Sequence, residues 1–382
     1  MDDHFEQARR AFALDPSITF LNHGSFGACP RPVLERQTAL RAAMEARPVA
    51  FLDRDLPAMI EGARQDVATF LAADPGGLAF VSNATTAVAI VLASVDLRPG
   101  DEVVISDHAY PAVQIAVRAA CERAGARVIM VRIPLPIEGP EHVVSCFTAA
   151  MGDAARLVLI DHISSATAAI FPVAQIVSAC KARGILAFVD AAHAPGMVPI
   201  DLRALGADWW TGNLHKWVCA PKGAAVLWVA PEHRERTRPL VPSHRFNEGF
   251  LPSFDWNGTA DPTAMLSAPT ALAFFEALGW DRVRSHNRAL ATDGRATIAE
   301  VIGAPCVIPA SMTGSMALIP FRAGIAATKD AARALQARIL ADAAVEVPIS
   351  AWEGRGLMRI SAQIYNEPGD YERLANALPA TL

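Results

Sequence analysis

An aspartate closes an apolar run in Gly184-Ile-Leu-Ala-Phe-Val-Asp190, and a lysine directly follows a histidine in Thr211-Gly-Asn-Leu-His-Lys216. A lysine amine can condense with an aldehyde as a Schiff base. A carboxylate facing a pyridine nitrogen keeps that nitrogen protonated, so that the ring can accept electrons. Those are the two groups pyridoxal phosphate asks of a protein. Composition sharpens the choice of lysine, because lysine occurs only at Lys181, Lys216, Lys222 and Lys329 among 34 basic residues. Where arginine supplies nearly all the positive charge, a retained lysine stands out for its amine chemistry. The competing reading is a solvated loop lysine, and the surrounding motifs decide against it.

Asn83-Ala-Thr85-Thr86 stands where a strand passes into a helix, so its hydroxyls and amides can meet an anion at the helix N-terminus. A phosphate suits that place, and so does a plain threonine N-cap. Asp107-His108-Ala-Tyr110 follows the next strand, where an imidazole can lie over a pyridine ring or serve as a hydrogen-bonded structural histidine. In Asp190-Ala-Ala-His193 the carboxylate can face the ring nitrogen or cap a helix, and His193 can reach the phenolic oxygen. Lys216 lies between His215 and Trp217, a partly apolar setting that lowers the amine's pKa and favours imine formation at neutral pH.

These residues need a scaffold that gathers strand ends. From about residue 78 to 230, short apolar strands alternate with helical stretches, the pattern of a mostly parallel sheet covered on both faces. Strands are expected at 78–82, 102–106, 127–133, 156–161, 185–190, 209–212 and 224–229, with helices at 85–95, 111–124 and 173–183. Ligands collect at the carboxyl ends of such strands, where the candidate residues fall. Residues 231–261, rich in Pro, Arg, Phe and Gly, read as an irregular excursion. Helices at 262–278 and 280–302, then strand–helix–strand–strand–helix over 317–378, suggest a smaller α+β unit. The expected division is an N-terminal segment 1–18, a large cofactor-binding domain 19–260 and a small C-terminal domain 261–382.

The 382 residues exceed the size at which a single core stops growing, about 250–300 residues. Mean hydropathy is +0.25, yet no apolar run reaches the roughly 18 residues of a membrane span. The net charge of −5, with signs interspersed, offers no basic stripe for nucleic acid. The expected partner is a small molecule. Six scattered cysteines without a CxxC pair fit reduced thiols rather than disulfides or a metal site, and the acidic start lacks a signal-peptide core. A cytoplasmic location is expected.

Read in order, Phe20-Leu-Asn-His-Gly-Ser-Phe-Gly-Ala28, Val81-Ser-Asn-Ala-Thr-Thr-Ala87, Asp107-His-Ala-Tyr110, Asp190-Ala-Ala-His-Ala-Pro-Gly196, Asn213-Leu-His-Lys216 and Arg359-Ile-Ser-Ala-Gln-Ile-Tyr-Asn366 cover nearly the whole chain. In these the sequence resembles the fold-type-I pyridoxal-phosphate enzymes of the class V aminotransferase group, within it the isopenicillin N epimerase-like subfamily. The resemblance implies an α/β fold with a mostly parallel seven-stranded sheet flanked by helices. It makes Lys216 the lysine that holds the cofactor, Asp190 the pyridinium partner and His108 the residue stacked on the ring. Thr85, Asn213 and His215 would hold the phosphate, with Ala84 and Thr86 contributing further contacts. Phe254-Asp-Trp256-Asn-Gly-Thr259 matches a loop that reaches the neighbouring subunit's phosphate, so Gly258 and Thr259 imply a homodimer with shared active sites. Arg359 matches the arginine that clamps the substrate carboxylate, a bidentate task for which lysine is a poor substitute. One departure is Ser165, where many class V relatives carry an asparagine that bonds the phenolic oxygen. Serine is shorter, and His193 or a water can take that contact.

The reaction is left open. Asn22, His23 and Tyr110 are candidates for side-chain recognition or a second acid/base, and each can equally be structural. Cysteine desulfurases carry a nucleophilic cysteine shortly before the carboxylate arginine, and residues 346–358 contain none. Desulfuration through a persulfide is therefore not expected. β-Elimination with C–S cleavage leads, in specialised metabolism of the antibiotic-biosynthesis kind. Epimerisation, decarboxylative or oxidative deamination, and transamination follow. A non-catalytic member of the fold would ordinarily have lost Lys216 or Arg359, and both are present.

Overall fold

The structure is a computed structural model and describes residues 3–381; residues 1, 2 and 382, at the ends of the expected first and last segments, lie outside them. Among the described residues the strands are β1 (Thr19–Phe20), β2 (Leu78–Val81), β3 (Glu102–Ser106), β4 (Arg127–Val131), β5 (Ala155–Asp161), β6 (Leu186–Asp190), β7 (Trp209–Asn213), β8 (Ala225–Val229), β9 (Met316–Pro320), β10 (Val345–Glu346), β11 (Ile349–Trp352) and β12 (Arg355–Ser361). Strands β2 to β8 form one sheet in the order β2-β8-β7-β6-β5-β3-β4. All neighbours run parallel except β8, which is antiparallel to both β7 and β2. The runs Leu-Ala-Phe-Val in β6 and Leu-Val-Leu-Ile in β5 are apolar at nearly every position because helices cover both faces.

The chain leaves β3 for β4 on one side and returns to β5 on the other. The order therefore reverses at β3/β5, which opens a crevice at the carboxyl ends of those strands. Parallel pairing of β5 with β6 sets Asp161 directly beside Asp190 at that edge. Helix Ala84–Ser94 starts at the same edge, its first turn capped by the Asn83 side chain, which accepts from Thr86 N–H at 2.8 Å.

The expected seven strands are all present, with ends displaced by at most two residues. The expected helix at 262–278 is instead two, Thr263–Leu266 and Ala268–Glu276. Pro269 explains the break, since it has no amide hydrogen to continue the first helix but fits the first turn of the second. The excursion after β8 contains a short helix, Phe250–Asp255, pinned by Arg64. That buried guanidinium donates to both Asp255 carboxylate oxygens, at 2.8 and 2.7 Å, and to Leu78 O at 2.7 Å. The excursion is thereby tied to β2. A second sheet, β11-β12-β9, packs with helices Trp280–Ile302, Lys329–Ala343 and Pro368–Thr381 around its own core. Thr19–Phe20 pair in parallel with Val345–Glu346, and Leu21 lies in that second core, so the stretch 22–28 bridges towards the edge of the large sheet.

Candidate active site

A cavity of about 210 Å³ lies at this edge, lined among others by Asp161, Asp190, His193, Asn213, His215 and Lys216. Lys216 sits in the turn after β7, packed from two sides by glycines. A Cβ on Gly27 would come within 2.4 Å of His215 O, and one on Gly196 within 2.5 Å of Trp217 O. Both have positive φ, 71° and 88°, so these close approaches need glycine.

The protonation state of Lys216 follows from its neighbours. The Trp217 indole N–H can only donate, and it lies 3.3 Å from His193 Nδ1. That nitrogen is therefore the acceptor, and the proton of the neutral imidazole sits on Nε2. Nε2 lies 3.0 Å from Lys216 Nζ, so in this tautomer the ring donates to the lysine's lone pair and favours the free amine. Burial, and then the nearby Arg359, push the amine down to about 7 against the opposing pull of Asp190. Burial also takes His193 well below the usual imidazole value, which keeps that ring neutral.

Asp190 accepts Ala192 N–H at 3.0 Å, and burial raises its carboxyl above the ordinary range. Asp161 is raised further, to about 8, by burial and by Asp190 beside it. Two adjacent buried carboxyls cannot both ionise readily, and a cation facing Asp190 would favour the charge there. Asp161 is a cavity residue that sequence reasoning passed over, although its place at a strand end was a usable signal. Ser25, Phe26 and Ile163 also line the cavity, the first two inside a quoted motif whose neighbours drew the attention.

Arg359, on β12, is buried with 6% of its surface exposed and meets no carboxylate among the described residues. It donates to Ser165 O, to Ser165 Oγ at 3.2 Å and to Ser25 Oγ at 3.2 Å, while its Nε is buried without a partner. Desolvation lowers it to about 10, which leaves it charged at neutral pH.

The expected anion-binding residues divide. Ala84, Thr85, Asn213 and His215 line the cavity. Ala84 N–H is already committed to Asn213 Oδ1 at 2.9 Å, and Thr86 N–H to Asn83. The Thr85 amide and hydroxyl are the donors left at the helix start. His215 Nδ1 donates to Ala224 O at 2.9 Å, and burial takes the ring to about 4; a phosphate would act in the opposite sense and favour the imidazolium. Thr86 and Gly258 instead line a neighbouring cavity of about 500 Å³, and the exposed Thr259 adjoins Gly258 in the loop.

Three candidates turn away from the cavity, which corrects the ring-stacking role expected of His108 and takes the structural alternative for His23 and Asn22. His108 does not face the cavity: it is fully buried, with Nδ1 bonded to Thr167 Oγ1 and Nε2 to Ile133 O, both at 2.8 Å, and its ring sits edge-on to Trp352. Tyr110, two residues on and 46% exposed, lines the cavity in its place. His23 likewise points into protein, between Tyr365 OH at 2.8 Å and Lys216 O at 3.0 Å, and supports the lysine turn rather than a substrate. Asn22 turns to Ser25 and Glu346.

A buried amine and a buried carboxylate with no hydrogen-bonded cation thus line one cavity, and a buried guanidinium with no carboxylate is bonded to Ser25 and Ser165 of its wall. Those unmet partners correspond to an aldehyde, a protonated pyridine nitrogen and an amino-acid carboxylate, so the residues fit pyridoxal phosphate and its class of substrate. Fold and site together define a fold-type-I pyridoxal-phosphate enzyme.

The Aminotransferase class-V family matches residues 28–374. The chain belongs to that family. It is 36% identical to isopenicillin N epimerase of Amycolatopsis lactamdurans, over 97% of each chain. It is 32% identical to L-cysteine desulfhydrase of Arabidopsis thaliana, over 94% of this chain and 87% of that protein. Among solved structures it superposes on a C-DES variant with glycine covalently linked to the PLP cofactor, with a TM-score of 0.85, 19% identity and coverage of 97% of this chain and 98% of that one. The cysteine desulfurase CsdA from Escherichia coli follows the same fold, with a TM-score of 0.82, 21% identity and coverage of 99% and 98%. The chain is therefore similar to both epimerase and C–S lyase relatives.

Proposed function

We propose that this enzyme is a C–S lyase that acts by β-elimination on L-cysteine or a cysteine conjugate in specialised metabolism. The observation that carries this reading is that Lys216 lines the cavity as a base while two candidates for a second one are turned away. His23 and His108 lie outside the cavity lining, and each commits both ring nitrogens to protein. Elimination needs one base at the α-carbon, while two-base epimerisation needs a second on the opposite face. L-cysteine desulfhydrases among the relatives support the same reading.

When bound, pyridoxal phosphate supplies the electron sink that makes the α-hydrogen acidic. Lys216 would hold it and take that hydrogen as base. Asp190 would face the ring nitrogen, whose positive charge would favour the ionised carboxylate. Thr85, His215 and the Asn213 amide would hold the phosphate, His193 would reach the phenolic oxygen, and Tyr110 would cover the ring face once assigned to His108. Arg359 would hold the substrate by its carboxylate and so set the orientation of the bonds at the α-carbon. For cysteine the sum is cysteine plus water giving pyruvate, ammonia and hydrogen sulfide. Release of all three in equal amounts is the expected result.

Epimerisation is the second reading, favoured by the isopenicillin N epimerase relatives and by the Tyr110 hydroxyl at the cavity mouth. Exchange of the α-hydrogen in deuterated water with loss of optical activity, and no pyruvate, would replace the lyase reading with it. A stoichiometric keto acid without sulfide would point to transamination or deamination instead.

The Gly258–Thr259 loop lies outside the chain's own Lys216 cavity, which supports its reaching a partner's phosphate in a homodimer. Mixing Lys216→Ala subunits with subunits altered in that loop should then restore activity that neither has alone. Six unpaired cysteines agree with a cytoplasmic setting, and no helix among the described residues is long and apolar enough to cross a membrane.

Trp217→Phe tests the proton arrangement at the lysine. The substitution keeps the bulk but frees His193 Nδ1 to take the proton, so that Nε2 can accept from an ammonium and stabilise it. The amine should then stay protonated to higher pH. The pH midpoint for cofactor capture by the apoprotein, followed by visible absorbance, is expected to rise by about one unit. An unchanged midpoint would show that the indole does not set the tautomer.

A further inference from the structure

We propose that Ser25 and Ser165 are positioning residues that give the site its selectivity for an α-carboxylate, by fixing which edge of the Arg359 guanidinium is left to a ligand. The proposal rests on Arg359 being the carboxylate clamp.

A guanidinium has five N–H donors in a rigid plane. Nη1 donates to both the carbonyl and the hydroxyl oxygen of Ser165, and Nη2 donates once to Ser25 Oγ. Two donors remain. They are Nε–H, which is buried without a partner, and one hydrogen of Nη2, which lies on the Nε side when Ser25 takes the hydrogen that faces Nη1. These are a parallel pair with the spacing that a carboxylate takes in a bidentate contact. The serines therefore occupy the wrong edge and leave the right one.

The hydroxyl directions are themselves fixed. Ser25 Oγ gives its one proton to Asn22 Oδ1 at 2.5 Å, so it meets Arg359 only as an acceptor. Asn22 is oriented in turn by a long contact from Nδ2 to Glu346 Oε1, at 3.5 Å. Asn22, expected to touch substrate, thus acts at one remove. Ser165 accepts from Arg359, which leaves its own hydroxyl proton uncommitted, and Ser165 lines the cavity. The serine in the asparagine position consequently serves the arginine as well as facing the ligand. Gly24 closes the arrangement, because a Cβ there would meet Met316 Sδ at 2.5 Å and Arg359 Nη2 at 3.3 Å.

L-alanine and ethylamine differ only in the carboxylate, and spectral titration of the holoenzyme reads the binding of both. Ser25→Ala and Ser165→Ala are each expected to weaken L-alanine about tenfold, the size of one hydrogen bond to a charged group, and to leave ethylamine within about twofold. Asn22→Ala should act in the same direction with a smaller effect, and Ser165→Thr, which keeps the hydroxyl, should recover most of the loss. L-alanine affinity unchanged in both alanine variants would overturn the proposal. So would equal weakening of the two ligands, which would mark general damage. Arg359→Lys separates the underlying reading: if that variant still prefers L-alanine over ethylamine as the wild type does, the clamp assignment itself falls.

Discussion

Replacing Lys216 by alanine is expected to abolish covalent capture of the cofactor and to lower turnover by roughly 10²–10⁴-fold from the loss of the general base alone. Among the cavity-lining residues Lys216 is the one lysine, and the Trp217 and His193 contacts favour its free nucleophilic amine. Of the other lysines, Lys222 is committed to Gly27 O at 2.8 Å and lines the neighbouring cavity. It is not placed to take over. The measurement is borohydride reduction of the holoenzyme followed by peptide mapping, with the label expected at position 216. Visible imine absorbance that persists in Lys216→Ala, or a label elsewhere, would remove the basis of the proposed chemistry. The same amine sets a pH limit on cofactor capture. Burial lowers its value to about 7, so the reactive form grows as pH rises through 7 and is lost below it. Capture by the wild-type apoprotein should accordingly slow as the solution is acidified from pH 8 to pH 6.

The scaffold was readable because its rules are local and repeated. Continuous apolar runs such as Leu186–Asp190 mark doubly covered parallel strands, and a polar residue ending such a run marks the ligand edge. Asp190, Lys216 and His193 follow from that logic and His215 and Asn213 from the family resemblance, and all line one cavity. What the sequence concealed was direction. His108 and Tyr110 lie two residues apart in one motif, and only the turn between β3 and helix Pro111–Ala124 decides which ring meets the cavity. The imidazole found Thr167 Oγ1 and Ile133 O, partners distant in sequence, and a buried polar ring is held wherever both nitrogens are satisfied. His23 was misdirected for the same reason, its partners being Tyr365 and the Lys216 carbonyl. The Asp161–Asp190 pair is likewise a product of strand register, which spacing along the chain does not reveal.

Arg359→Lys is expected to lower kcat/KM for an amino-acid substrate by about 10²–10³-fold while leaving cofactor capture intact. Truncating one partner of a buried charge pair typically costs about 2–5 kcal/mol, because the other partner is left desolvated and unpaired. Lysine retains the charge but offers a point donor where a planar fork is needed, and it cannot bond Ser25, the Ser165 hydroxyl and a carboxylate together. The loss should fall mainly on KM if the contact is the same in ground and transition states. It should extend to kcat if the clamp also sets the angle of the breaking bond. Arg359→Ala distinguishes these by removing charge and fork together: a kcat close to that of Arg359→Lys would assign orientation to the fork, whereas a much lower one would assign it to the charge. A kcat/KM within about threefold of wild type in both variants would exclude Arg359 from substrate binding. The buried guanidinium, with no carboxylate of its own and an unpartnered Nε, would then need a different ligand.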